Sequence, residues 1–91
     1  MILFNLGEDN PPDWYKNLIA SFTKRDVRMI YRFVFLIALG ESVRDVVMIT
    51  DNDALRVILR YIEGCKPHES FQANELIAEF ERAILSRLQA Q

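Results

Sequence analysis

Cys65 and His68 are the first side chains whose types and spacing suggest chemistry, and they are the single cysteine and single histidine of the chain. A thiol beside an imidazole forms a nucleophilic pair only when a third group orients the base, and Pro67 between them restricts their geometry. A zinc site needs three or four protein ligands, and the nearby candidates are only Glu63 and Glu69. We therefore predict an inert loop thiol and a solvated histidine, with no catalytic residue and no metal ligand.

The sequence also gives little support for a phosphate-binding loop or a magnesium site. The three glycines, Gly7, Gly40 and Gly64, are isolated, and each stands where a turn or a helix end favours a positive φ angle. The carboxylates of Asp51 and Asp53 have the oxygen ligands that Mg²⁺ takes, but acids are also favoured at a helix N-terminus by the helix dipole. The sequence thus predicts no cofactor and argues against an enzyme.

The charged residues favour a protein partner over nucleic acid. Eleven basic and thirteen acidic side chains give a net charge of −2 and a pI near 5.3, whereas nucleic-acid-binding proteins usually carry a strong basic excess or patch. Acidic surfaces steer association with basic proteins, and aromatic side chains anchor interfaces. We expect the partner surface to comprise two acidic clusters and two adjacent aromatic residues: Glu8, Asp9, Asp13, Trp14, Tyr15, Asp51 and Asp53.

One stretch carries a partial family resemblance. Gly40-Glu41-Ser42-Val43-Arg44-Asp45-Val46 reads as the entry to a first helix, and Val57 stands where a second helix would pack back on it. From residue 40 to residue 64 the chain resembles a helix-turn-helix unit of the resolvase type. The resemblance implies that the second helix enters the major groove of DNA, with Arg56 and Arg60 as contacts. Asp51 and Asp53 would then face phosphates, which repel carboxylates.

The elements that position these residues begin at recognisable capping signals. A Ser, Thr, Asp or Asn side chain accepts a hydrogen bond from a free amide of the first helical turn, often with an acid three residues later. Such signals at residues 10–13, Thr23, Ser42, Asp51 and Ser70 predict five helices. We expect these helices to end near Phe22, at Gly40, near Thr50, before Gly64 and at the C-terminus, with a loop over residues 65–69.

The expected fold class is an all-α bundle of about five helices around a buried central helix. The segment Phe33–Leu39 is apolar on every side, and a helix without a polar face is typically surrounded by protein, which favours the second helix as the central one. Residues 1–6 and 46–50 are short apolar runs that periodicity cannot assign. An α+β fold with strands at these two places is therefore the alternative.

Size and composition limit the number of domains and the cellular location. Ninety-one residues correspond to one domain over residues 1–91, in line with the usual size of small domains. A single cysteine cannot form an internal disulfide, which favours a reducing, cytoplasmic location. The longest apolar run, Phe33–Leu39, is far shorter than the roughly 20 residues that span a bilayer, so no membrane association is expected.

These observations favour a small binding protein. We expect a cytoplasmic inhibitor that neutralises another protein, of the immunity-protein or antitoxin type, with a basic toxin or enzyme such as a nuclease toxin as partner. The alternatives are a helix-turn-helix DNA-binding regulator and a structural or adaptor subunit of a larger assembly. A monomer or a small homo-oligomer suits the first hypothesis.

Overall fold

A computed structural model describes residues 11–90, and over this range the chain forms a compact bundle of five α-helices without strands. The expected all-α fold is confirmed. The helices are α1 (Asp13–Ala20), α2 (Lys24–Ala38), α3 (Val43–Ile49), α4 (Asn52–Cys65) and α5 (Phe71–Gln89), with a single 3-10 turn (Lys66–His68) between α4 and α5.

Side-chain caps start four of the five helices, at the residues that the sequence indicates. Three of these caps are side-chain hydroxyls, and each accepts a hydrogen bond from the backbone amide three residues later in the chain. The distances are 3.1 Å for Thr23, 3.1 Å for Ser42 and 3.2 Å for Ser70. The Asp51 carboxylate does the same for the amide of Ala54 at 2.9 Å. The first helix differs, because Pro12 is its N-cap and makes no side-chain cap hydrogen bond.

Gly40 ends α2 as predicted. Its φ angle is +87°, a conformation that side-chain-bearing residues rarely adopt. The amide of Gly40 donates to the carbonyl of Ile37 and the amide of Glu41 to that of Leu36, at 3.0 and 3.2 Å. This is the Schellman pattern, which satisfies carbonyls that the helix end leaves free, and it turns the chain toward α3.

Residues 46–49 are helical and Thr50 is the C-cap of α3, so the alternative of a strand at this place is wrong. Ser42 starts α3, and at its other end the Thr50 hydroxyl donates to the carbonyl of Val46 at 2.6 Å. Val46 and Val47 are buried, which explains their apolar character without a sheet. The other proposed strand, residues 1–6, lies outside the described residues.

The central helix of the bundle is α4 rather than the second helix. Leu55, Ile58 and Ile62 of α4 are all at most 1% exposed, and α4 packs against α1, α2 and α5. The second helix buries one face only, whereas its Phe35 is 61% exposed. The apolar run over residues 33–39 therefore does not indicate a helix surrounded by protein.

Two local features near the end of α4 also differ from expectation. Gly64 lies inside the helix, where a Cβ atom would come within 2.5 Å of Leu18 Cδ1. Because Gly64 has no side chain, α1 can pack closely against α4, so this glycine serves packing and does not end the helix. The chain then continues into the 3-10 turn, where the sequence suggested an open loop.

Within residues 11–90, no helix combines the length and the apolar character needed to cross a bilayer.

Candidate protein-docking surfaces

Asp13 lies at one end of α4, and Asp51 and Asp53 lie at the other. Trp14 stacks on His68 at 4.2 Å between ring centroids, which places the start of α1 beside the C-terminal end of α4. Asp51 and Asp53 stand at the N-terminal end of the same helix, whose 14 residues span about 20 Å. Asp13 is therefore not part of one surface with them. Glu8 and Asp9 lie outside the described residues.

Asp51 and Asp53 also have partners within the chain. Asp51 is occupied as the cap of α4, and the Asp53 carboxylate accepts a hydrogen bond from Arg56 Nη1 at 3.2 Å. Both side chains of that ion pair are largely exposed, and exposed pairs contribute little free energy. Asp53 thus remains accessible to a partner. Replacing Asp51 would instead remove the cap of α4, so its effect on binding could not be separated from its effect on the helix.

Tyr15 belongs to the core, which corrects its assignment as a surface anchor. It is 3% exposed, and its hydroxyl lies 3.0 Å from that of Tyr61, which is also buried. Burial raises the pKa of Tyr15 to about 12 and raises that of Tyr61 further, because a phenolate would lose its hydration. Its neighbour Trp14 is partly exposed and packs against the core and His68.

The structure gives Cys65 and His68 no joint chemistry. Cys65 is 0% exposed, and burial raises the pKa of its thiol to about 12, so the reactive thiolate is suppressed at neutral pH. The His68 ring is stacked on Trp14 instead. No group of three or more metal-binding side chains of the His, Cys, Asp or Glu type occurs within residues 11–90.

Arg56 and Arg60 are exposed on α4, but this helix is a poor candidate for reading DNA. It packs against α1, α2 and α5, and the stripe that it leaves exposed carries the carboxylates of Asp53 and Glu63 beside the two arginines. DNA phosphates repel such carboxylates. Arg56 is paired with Asp53, and the Arg60 guanidinium lies 4.7 Å from the centre of the Phe22 ring. The structure therefore adds no support for DNA binding through Arg56 and Arg60.

An open groove of about 810 Å³ runs between α3 and α5 and was not predicted. From α5 it takes the small side chains Ala83, Ser86 and Ala90, and from α3 the apolar Val47 and Met48. Met48 is 58% exposed. The recurrence of small residues at 83, 86 and 90 is a helical spacing that marks one face of α5. This spacing of small residues is the feature of the sequence from which the groove could have been predicted.

Charged residues border this groove on both walls. Arg44 stands on α3 and Glu79 on α5, and neither forms an ion pair with another residue of the range 11–90. Glu75, one turn before Glu79, is exposed as well. Arg87 is already engaged, since its Nη1 donates to the carbonyls of Val47 and of Met48, the latter at 2.9 Å. The Arg87 contacts join α5 to the C-terminal end of α3 and fix the width of the groove.

A second apolar surface lies on α2. Tyr31, Phe35 and Leu39 follow one another every four residues and are 49%, 61% and 60% exposed. The opposite face of α2 carries the buried Ile30, Phe33 and Val34, so these three side chains point away from the bundle. We call Tyr31, Phe35 and Leu39 the α2 stripe. Sequence reasoning missed it because it assigned the whole apolar run to the core.

Comparison of this chain with protein-family models, with curated proteins and with solved structures gave no match. The groove and the α2 stripe are therefore the features from which a function is proposed.

Proposed function

We propose that this protein is a protein-binding module that receives an amphipathic helix of its partner in the groove between α3 and α5, and that it acts by docking and not by catalysis. The groove itself is the observation that supports this proposal. It combines an open volume with a lining of apolar and small side chains among a few polar groups, which is the usual make-up of a binding site.

A helix suits the groove better than an extended peptide. Ala83, Ser86 and Ala90 form a shallow wall along α5, and small residues let the axis of another helix come close. Extended peptides commonly bind by adding a strand to a sheet edge, and residues 11–90 contain no sheet. A partner helix would bury its apolar positions against Val47, Met48 and the α5 wall.

The charges beside the groove favour a partner helix with a basic edge toward Glu79 on α5 and an acidic residue toward Arg44 on α3. Glu75 and Glu79 lie one helical turn apart on α5, and two like charges at this spacing destabilise a helix slightly. A Lys or Arg from the partner relieves that repulsion. This acidic edge of α5 adds to the exposed Asp13 and Asp53 as an attraction for a basic protein.

The finer form of the proposal is an inhibitor of the immunity-protein or antitoxin type that covers a basic enzyme or toxin in the cytoplasm. The free and buried thiol of Cys65 suits a reducing compartment. Steering by acidic residues speeds association with a basic protein, which an inhibitor needs. An adaptor subunit would use the same groove without changing the activity of its partner, so inhibition of the bound protein separates the two functions.

A display library of amphipathic helical peptides, selected on the full chain, tests the docking proposal. We expect enrichment of helices with a basic edge, and we expect the variant Ser86→Trp to weaken their binding at least tenfold by filling the groove. Gln72→Trp is the matched control, because Gln72 is exposed on α5 outside the groove lining. Bound peptides that ignore Ser86→Trp, or a library without any helical binder, would contradict the proposal.

A further inference from the structure

The exposed face of α2 carries a row of basic side chains in addition to the α2 stripe. Lys24, Arg28 and Arg32 are exposed and follow one another every four residues, and we call them the basic row. Because a helix turns by about 100° per residue, Arg28 and Phe35 lie only about 20° apart around its axis. The basic row therefore occupies the first half of the same face on which the stripe occupies the second half.

The cations of α2 have no counter-charge in the described part of the chain. None of the four forms an ion pair with another residue of the range 11–90; they are Lys24, Arg25, Arg28 and Arg32. The one acid of α2, Asp26, lies on the side opposite Phe35, about 180° away around the helix axis. Like charges four residues apart destabilise a helix slightly, and the helix dipole disfavours cations in its first turn. A negatively charged partner would relieve both effects.

We propose that this face of α2 binds an acidic amphipathic helix of a partner protein, independently of the groove. Carboxylates one turn apart in one half of that helix would pair with the basic row, and apolar side chains in its other half would cover the stripe. The groove is lined from α3 and α5 and not from α2. The two surfaces are therefore distinct, and they favour segments of opposite charge.

The order of the side chains favours a peptide over a membrane surface. A helix that lies on a membrane keeps its apolar side chains on one face and its cations on the other. Viewed down the axis of α2, Arg28 stands between Tyr31 and Leu39. Insertion of the stripe into lipid would therefore carry the Arg28 guanidinium into the apolar layer. Nucleic acid is disfavoured by the net charge of −2, because attraction to phosphates dominates its binding.

The face has the dimensions of a single docked segment. With 15 residues, α2 is about 22 Å long, so a partner helix of about four turns covers the basic row and the stripe together. Such a contact belongs to the small interfaces that are typical of transient complexes. Exposed ion pairs are screened by salt. We therefore expect a weak complex whose affinity falls severalfold as the salt concentration rises.

Selection of helical peptides on a chain with a filled groove tests this inference separately from the proposed function. The bait is the Ser86→Trp variant, and the probe is the display library of amphipathic helical peptides. We expect enrichment of helices with glutamate or aspartate in one half and apolar residues in the other. A selection without such helices would overturn the proposal for α2, while the same selection on the parent chain still reports on the groove.

Matched variants locate the binding of the selected peptides on α2. Arg28→Glu and Phe35→Ser are each expected to weaken binding at least tenfold, measured by fluorescence anisotropy of the labelled peptide. Arg82→Glu and Phe71→Ser are the controls, because they make the same changes at exposed positions of α5, and both should leave the affinity unchanged. If each variant and its control have equal effects, the proposal is wrong.

Two further ligands test the alternative occupants of the stripe. Vesicles containing phosphatidylserine and a single-stranded oligonucleotide are titrated against the parent chain and against Phe35→Ser. We expect Phe35→Ser to make no difference to either titration. Binding of vesicles or oligonucleotide that Phe35→Ser abolishes would overturn the proposal, because the face would then serve a lipid surface or a nucleic acid.

Discussion

At the scale of single residues, the buried tyrosine pair is the most consequential polar contact of the core. The hydroxyls of Tyr15 and Tyr61 lie 3.0 Å apart, and without Tyr61 the Tyr15 hydroxyl would be a polar group in an apolar environment. Leaving a buried group without its partner costs about 1–3 kcal/mol. The pair therefore fixes how α1 sits on α4.

We expect Tyr61→Phe to lower the free energy of unfolding by about 1–3 kcal/mol, because it leaves the Tyr15 hydroxyl buried without this partner. Tyr31→Phe is the control, since Tyr31 is 49% exposed and surface changes usually stay within about 0.5 kcal/mol. Urea unfolding followed by circular dichroism measures both. A Tyr61→Phe variant as stable as the parent chain would show that the hydroxyl pair contributes nothing.

Cys65 and Tyr15 make stability depend on alkaline pH. Their pKa values are about 12 in the folded chain, raised from 9.0 and 10.0 mainly by burial. Below pH 9 both states keep these protons and stability is fully present. As the pH rises from 9 toward 12, the unfolded chain loses the protons first, so the free energy of unfolding falls.

Urea unfolding at pH 8 and pH 11 checks this expectation, and the parent chain should be less stable at the higher pH. Cys65→Ala should show a smaller decline, because one of the titrating groups is gone. Equal stability of the parent chain at both values would contradict the burial of these groups.

At the scale of the elements, capping residues could be read from the sequence because a cap is a local interaction. Thr23, Ser42, Asp51 and Ser70 need only their own next three residues to act, and all four do so. The role of Gly64 could not be read in the same way. It depends on Leu18 of another helix, and one sequence does not reveal which helices touch.

Two acidic residues at the start of α4 have different roles: Asp51 caps the helix, and Asp53 forms an exposed ion pair with Arg56. We expect Asp51→Ala to lower the free energy of unfolding by about 1 kcal/mol, since it removes the cap of α4. Asp53→Ala should cost less than about 0.5 kcal/mol, because its ion pair with Arg56 is exposed. Thermal unfolding of the two variants under identical conditions measures the difference, and equal losses would refute the assignment of Asp51 as the structural cap.

At the scale of the whole molecule, the all-α class was predictable and the candidate docking groove was not. Helix starts and apolar spacing are properties of neighbouring residues, whereas the groove exists only because α3 and α5 lie side by side. The α2 stripe shows the same limit, because Phe33 and Phe35 are equally apolar in sequence but are 2% and 61% exposed. Which face of an apolar helix meets water depends on how many neighbours the fold supplies.

Docking of a partner helix in the groove between α3 and α5 perturbs the residues that line it. The most direct measurement is a titration of the ¹⁵N-labelled full chain with the tightest helical peptide from the library, followed by amide chemical shifts. We expect shifts concentrated at Val47, Met48, Ala83, Ser86 and Ala90, and their loss in Ser86→Trp. Shifts concentrated at the α2 stripe or at Asp51 and Asp53, with the groove unchanged, would contradict docking in the groove.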